Sequence, residues 1–245
     1  MDPYSDQSSA VDQFRKYDRN VAPVLNEEGI VIGVVAADDV FDVAEEEATE
    51  DIQQFGGQAT LEDSYFATSV FDLLKKRGGW LCILFIGEVF ASSTMHLYED
   101  TMDSLRMLIY YLPLIISSGG NTGTQAASLI IRGLAVKEME ISDWDRVLKR
   151  EIITGIGLGL TLGVMGYISS VIWGHGSMIS IIVFISVVLI TVFGSTLGSM
   201  LPFIFKRLNL DPAVSSSPFI ACIVDFVGIV LYFSVATLIL QLMSS

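Results

Sequence analysis

The chain has 245 residues, 51% of them apolar, with a mean hydropathy of +0.57, which excludes an ordinary soluble domain. Its net charge of −14 lies in the first 74 residues, which hold 17 Asp/Glu against 3 Lys/Arg, whereas residues 75–245 hold 11 of each. That shift places a domain boundary near Lys75, and the acidic balance argues against nucleic acid as a partner.

The opening MDPYSDQSSA is polar and acidic, unlike a secretory leader, so the N-terminus is expected to be cytosolic. VDQFRKYD (11–18) has helical spacing. NVAPVL (20–25) and IVIGVVAADDV (30–40) read as short strands around the turn NEEG, and FDVAEEEATEDIQQF (41–55) as a long acidic helix. Asp38, Asp39, Asp42, Glu45, Glu46, Glu47, Glu50 and Asp51 crowd into 14 residues, and no Lys or Arg falls between Arg19 and Lys75 to offset them. Such a run is either a solvated helix face or a divalent-ion sensor.

Five apolar segments follow: 80–98, 107–135, 152–173, 178–204 and 215–241. Each is long enough to cross about 30 Å of hydrocarbon as a helix. With the N-terminus inside, Lys75, Lys76, Arg77, Arg132, Lys137, Arg146, Lys149, Arg150, Lys206 and Arg207 fall on the cytosolic side and only Arg106 outside. The bias predicts an all-α polytopic membrane protein, N-in and C-out, with both histidines outside. Residues 138–151 are too charged to insert and read as a short cytosolic helix capped by Ser142 or Asp143. Gly155, Gly159 and Gly163 mark a helix-packing face. Cys82 and Cys222 lie in apolar runs and read as small buried hydrophobes rather than a disulfide.

The informative residues are those a membrane rejects. Asp225 sits inside PFIACIVDFVGIVLYF, where an isolated aspartate costs about 2.5–3.5 kcal/mol. Apart from Arg132, at the cytosolic end of the second segment, no Lys or Arg lies within an apolar segment, which leaves water, a proton or a metal cation to compensate. Glu88, in LCILFIGEVFASS, is a second intramembrane acid, read either as helix packing or as part of a cation path. Glu99, Asp100 and Asp103 follow on the outer side, as a solvated loop or a cation-gathering entrance. In SSGGNTGTQ (117–125), Gly119, Gly120 and Gly123 permit a helix break that frees carbonyl oxygens, with Asn121, Thr122, Thr124 and Gln125 adding neutral ones. DPAVSSSP (211–218) is a second break signal. On a helix from Ser217, positions 217, 221, 225 and 228 share a face that is small except for one carboxylate. Two copies of that carboxylate about a symmetry axis suit a hard, hydrated divalent cation, and no soft-ligand set competes.

PLIISSGGNTGTQAASLIIRGLA (113–135), DPAVSSSPFIACIVDFVG (211–228) and GSMLPFIFKRLNLDPA (198–213) resemble the MgtE family of magnesium channels. The resemblance implies five membrane helices per protomer over residues 75–245, in a homodimer with the pore at the interface. It implies a multi-pass protein of the inner or plasma membrane that carries Mg2+, with Mn2+, Co2+ or Ca2+ as possible surrogates. The family's pore aspartate falls on Asp225, its Gly-Gly-Asn on Gly119, Gly120 and Asn121, and its pore-facing alanine on Ala221. Ser217 stands where some members carry Asn.

Residues 1–40 resemble the latter part of a CBS repeat: Ala22-Pro23-Val24, then Gly29 and the following Val/Ile run, then Asp38-Asp39-Val40. The chain is thus expected to be a shortened form, with residues 1–40 poorly ordered or repacked for want of a partner. Residues 41–74 correspond to the family's connecting or plug helix, which closes the pore when cytosolic Mg2+ is high. By that resemblance Asp39, Asp42, Glu45, Glu46, Glu47, Glu50 and Asp51 are sensor ligands. Alternatives are a secondary transporter coupling divalent ions to H+ or Na+, and a membrane-anchored divalent-ion sensor. An enzyme is not expected: GGNTGTQ lacks the Lys-Ser/Thr ending of a phosphate loop, and no activated nucleophile is legible.

Overall fold

A computed structural model describes residues 1–5, 7–17 and 19–244. Helix α1 (Gln7–Tyr17), strands β1 (Val21–Leu25) and β2 (Val31–Ala36) and helix α2 (Ala37–Phe55) follow the expected order. Asp18, at the end of the expected first helix, lies outside the described residues. The strands pair antiparallel, with Val21 opposite Ala36 and a bulge between Val24 and Leu25. Their turn closes on Asn26, whose Oδ1 accepts from the Glu28 and Ile30 amides, while Gly29 takes a φ of +77°. Val11, Phe14, Ala22 and Val40 form a small core of this region's own. Asp38-Asp39-Val40 opens α2, the helix start that the CBS resemblance implies, and the strand read over 30–40 ends at Ala36.

Helix α3 (Val70–Thr94) starts at Ser69, whose Oγ accepts from the Asp72 amide at 3.2 Å. A 3-10 turn, the short helix α4 (Glu99–Ser104) and a second 3-10 turn lead to α5 (Leu112–Ala135). Helices α6 (Trp144–Ile172), α7 (Gly176–Arg207) and α8 (Ser217–Ser244) complete the bundle. Among the described residues, four stretches are long and apolar enough to cross a membrane: Val70–Ser104, Ile141–Ile172, Gly176–Arg207 and Ser217–Leu242. Helix α5 falls outside that set because of its polar run, although its 24 residues span about 36 Å. It packs on α7 and α8, with twelve of its residues buried.

The expected break in α5 does not occur: the helix runs unbroken through SSGGNTGTQ. Its glycines serve close approach rather than unusual backbone angles. A Cβ at Gly194 of α7 would land on the Gly119 carbonyl, and one at Gly198 on the Gly123 carbonyl. The polar side chains bond back along their own helix: Ser118 Oγ to Leu114 O at 2.7 Å, Thr122 Oγ1 to Ser118 O at 2.8 Å, Asn121 Nδ2 to Ser117 Oγ at 3.2 Å. The second break signal is likewise an entry. Asp211 Oδ1 caps a 3-10 turn over Pro212–Val214 through the Ala213 amide, and Pro218 sits in the first turn of α8, where its missing N–H costs nothing. Nor is 138–151 a separate helix. It runs straight into α6, and the capping box that opens it joins Glu140 and Asp143. The glycine stripe of α6 packs as expected: a Cβ at Gly159 would stand 3.0 Å from Val188 Cα, and Gly155 and Gly163 face Val192 and Phe184 of α7.

The helix ends sort into two groups. Lys137, Lys206, Asp211 and Pro212 gather with Glu47, Glu50 and Asp51 of α2 around a cavity of about 350 Å³. At the other end Tyr111, Trp173 and His175 form an aromatic cluster, with the Tyr111 hydroxyl 2.6 Å from His175 Nδ1.

Candidate functional site

Two helices build the site's walls. On α8, Ser217, Ala221 and Asp225 recur along one face, all half-buried. They meet α5: Ser217 Oγ lies 3.1 Å from Thr124 Oγ1, and Ala221 Cα and Cβ stand 3.9 Å from where a Gly120 Cβ would be. Glycine at 120 and alanine at 221 thus keep the two backbones near and the surface between them shallow.

Helix α5 has a second, outward side. Ser117, Asn121, Gln125, Ser128 and Arg132 are exposed at spacings of four, four, three and four residues, so one polar stripe runs along α5, with Leu114 and Leu129 exposed near it. Asn121, expected beside the acid, is exposed on this stripe, whereas Gly120 is buried against α8. Ser117 and Ser128 were not singled out by the sequence. Their signal was the helical spacing of three and four residues that links them to Asn121 and Gln125.

Glu88 is brought to the site by α3, which packs on α8. Glu88 follows Gly87, whose added Cβ would fall on Cys222 Sγ, and Cys222 stands one turn before Asp225 on α8, so the two acids share this α3–α8 contact; the Cys222 thiol is 3.7 Å from the Leu84 carbonyl. Neither acid forms an ion pair with a Lys, Arg or His among the described residues. Glu99 lies elsewhere: its Oε1 is 2.7 Å from His96 Nδ1, with both side chains exposed.

The acids of α2 divide. Asp39, Asp42, Glu45, Glu46 and Glu50 are exposed, while Glu47 and Asp51 turn inward toward Asp211, at the start of α8. Burial, then the charges of Asp211, Glu47 and Glu50, push Asp51 up to about 6. Asp42, Glu45, Glu46 and Glu50 rim a second cavity, of about 640 Å³, with Thr60 and Glu62. Asp39 faces the N-terminal segment instead. Among the described residues, no three His, Cys, Asp or Glu side chains converge closely enough to hold a metal ion. The linker after α2 is tied at both ends. Gln53 Oε1 accepts from the Leu61 amide at 2.7 Å, Lys76 Nζ donates to the Thr60 carbonyl at 2.6 Å, and Trp80 Nε1 donates to Ser216 Oγ at 3.3 Å. The acidic helix is thereby lashed to the entry of α8.

Residues 112–235 match the family model MgtE, described as a divalent cation transporter. The chain is 38% identical over 237 residues to the magnesium transporter MgtE of Thermus thermophilus, covering 97% of this chain and 52% of that protein. To the Bacillus subtilis protein of the same name it is 31% identical, over 96% of this chain and 52% of the relative. For the Enterococcus faecalis one the figures are 27%, 96% and 51%. The chain spans about half the length of these curated relatives.

Proposed function

The chain belongs to the MgtE family of divalent cation transporters, and on that premise we propose that it is the membrane part of a magnesium channel working as a homodimer. The observation that carries this reading is the polar stripe on α5 beside the Asp225 face of α8. Hydrocarbon does not solvate Ser, Asn and Gln side chains, so this surface has to meet another protein copy, water or both. A second protomer set against the stripe encloses a narrow, wet path lined by Asn121, Gly120, Ser217, Ala221 and Asp225. Two Asp225 carboxylates across the twofold hold Mg2+ through its water shell, since Mg2+ gives up water reluctantly. Here α5 is the fifth membrane helix, admitted because its polar side is covered. The basic ends at Arg132, Lys137, Lys206 and Arg207 mark the cytosolic side, giving N-in and C-out.

The same premise covers regulation. Helix α2 is the connecting element of residues 41–74, and residues 1–40 are a CBS remnant. Cytosolic Mg2+ between the inward acids Glu47 and Asp51 and the Asp211 carboxylate holds α2 against the entry of α8 and closes the path. The exposed acids Asp39, Asp42, Glu45, Glu46 and Glu50 raise the local cation concentration. Glu99 does so at the outer end.

The test is Mg2+ uptake into liposomes loaded with a fluorescent indicator. Asp225→Ala is expected to abolish uptake. Uptake equal to the unaltered protein's would leave a membrane-anchored sensor as the better reading.

A further inference from the structure

We infer that Glu88 is a selectivity-determining carboxylate of the ion pathway, acting with Asp225 inside one protomer; this rests on the channel reading above. Three contacts fix α3 in a single register on α8. The Trp80 indole donates to Ser216 Oγ and packs on Phe219, with ring centroids 5.9 Å apart. One turn on, the Cys222 thiol reaches the carbonyl of the buried Leu84. A Cβ on Gly87 would fall on Cys222 Sγ, so the two helices approach closely beside Glu88. Beyond it Ala91 is 1% exposed, and the Thr101 and Thr237 hydroxyls meet at 2.9 Å.

Residues 80, 84, 87, 88 and 91 are thus the protein-facing stripe of α3, while Leu81, Ile83, Phe85 and Ile86 stay exposed. The acid stands on the one stripe of α3 that is not turned outward, at the same α3–α8 contact as Asp225, which lies one turn beyond Cys222. Two carboxylates at one helix contact repel, and no basic side chain among the described residues offsets them. A doubly charged cation beside them removes that repulsion. A singly charged one removes half as much, so the pair favours divalent over monovalent ions. Asp225 alone offers one charge per protomer; with Glu88 each protomer offers two.

The measurement is the reversal potential of reconstituted protein between Mg2+ on one side and Na+ on the other, which does not depend on how much protein is active. Glu88→Gln is expected to shift it toward the Na+ potential and to raise the half-saturating Mg2+ concentration about tenfold, the order for losing one nearby charge in a partly aqueous path. Glu88→Asp is expected to restore much of both. Asp225→Asn serves as the companion variant. If it abolishes Mg2+ current while Glu88→Gln matches the unaltered protein in both readings, the role of Glu88 is overturned and the pathway stands. If Asp225→Asn conducts Mg2+ normally, the pathway itself is overturned. Should Glu88→Gln carry no current, Mn2+ binding to the purified protein, followed by electron paramagnetic resonance, decides: weakened binding supports the inference and unchanged binding overturns it.

Discussion

Gly198→Ala is the most economical probe of how α5 is held. The added Cβ would overlap the Gly123 carbonyl of α5, a rigid backbone atom with no rotamer to yield. Helices α5 and α7 would have to part by about 1 Å to restore ordinary contact distances. Overpacking of this kind costs about 1–3 kcal/mol, set against about 1 kcal/mol gained from the better helix propensity of alanine. Gly157→Ala is the internal control: it lies exposed on α6 with nothing within 4 Å of its added Cβ, so only the propensity gain applies. Thermal unfolding in detergent, followed by tryptophan fluorescence, is expected to move down for Gly198→Ala and slightly up for Gly157→Ala. Equal or higher stability for Gly198→Ala would refute the direct backbone contact between α5 and α7.

Two further outcomes bear on function. Asn121→Leu combined with Gln125→Leu makes the outward stripe of α5 apolar, and is expected to cut liposome Mg2+ uptake more than about tenfold with little change in unfolding temperature; uptake within twofold of normal would rule out a wet path there. The second concerns pH. Because burial and its acidic neighbours raise Asp51 from 3.8 to about 6, the docked state of α2 binds that proton more tightly than the free state. Its contribution to docking is therefore complete below about pH 4 and is lost as the pH rises through about 6. Spin labels at Thr49 and Leu210, in a cysteine-free background with chelator present, are expected to give a broader distance distribution at pH 7 than at pH 4.5. Millimolar Mg2+ should narrow it again at pH 7, and Asp51→Asn should abolish the pH response; a distribution indifferent to pH would contradict this account of Asp51.

The four most apolar spans were legible because hydrophobicity is additive along a chain, and the family because its motif strings at 113–135 and 211–228 are local. What glycine does is not. Gly119 and Gly123 suit a helix break or a close contact equally well, and only the presence of Gly194 and Gly198 on the facing helix decides for contact. The same limit applied to the acids. Glu88 and Asp225 each stood out alone as charges a membrane rejects, but their meeting depends on the register of α3 against α8, set by Trp80, Gly87 and Cys222 together. Local chemistry misled once more at 138–151, where the charged run was long enough to suggest its own helix. Its Glu140–Asp143 cap instead starts a helix that continues into the apolar stretch without a stop signal.

Helix α5 draws these threads into a physical constraint. Its Ser118 and Thr122 hydroxyls donate to carbonyls one turn back, and its glycines let α7 approach to backbone contact, so one side of it is firmly packed. Its other side keeps Ser117, Asn121, Gln125 and Ser128 uncovered. A helix that only needed to pack would gain by carrying leucine at those four positions, as α3 and α6 do on their own outward faces with Phe85, Ile153 and Met165. Holding polar groups there costs insertion free energy at every turn. That cost is offset if the stripe borders water shared with a second copy. The membrane-facing hydrophobes of α3 and α6 and the polar stripe of α5 then answer to two different solvents, lipid on one side of the protomer and a hydrated ion path on the other.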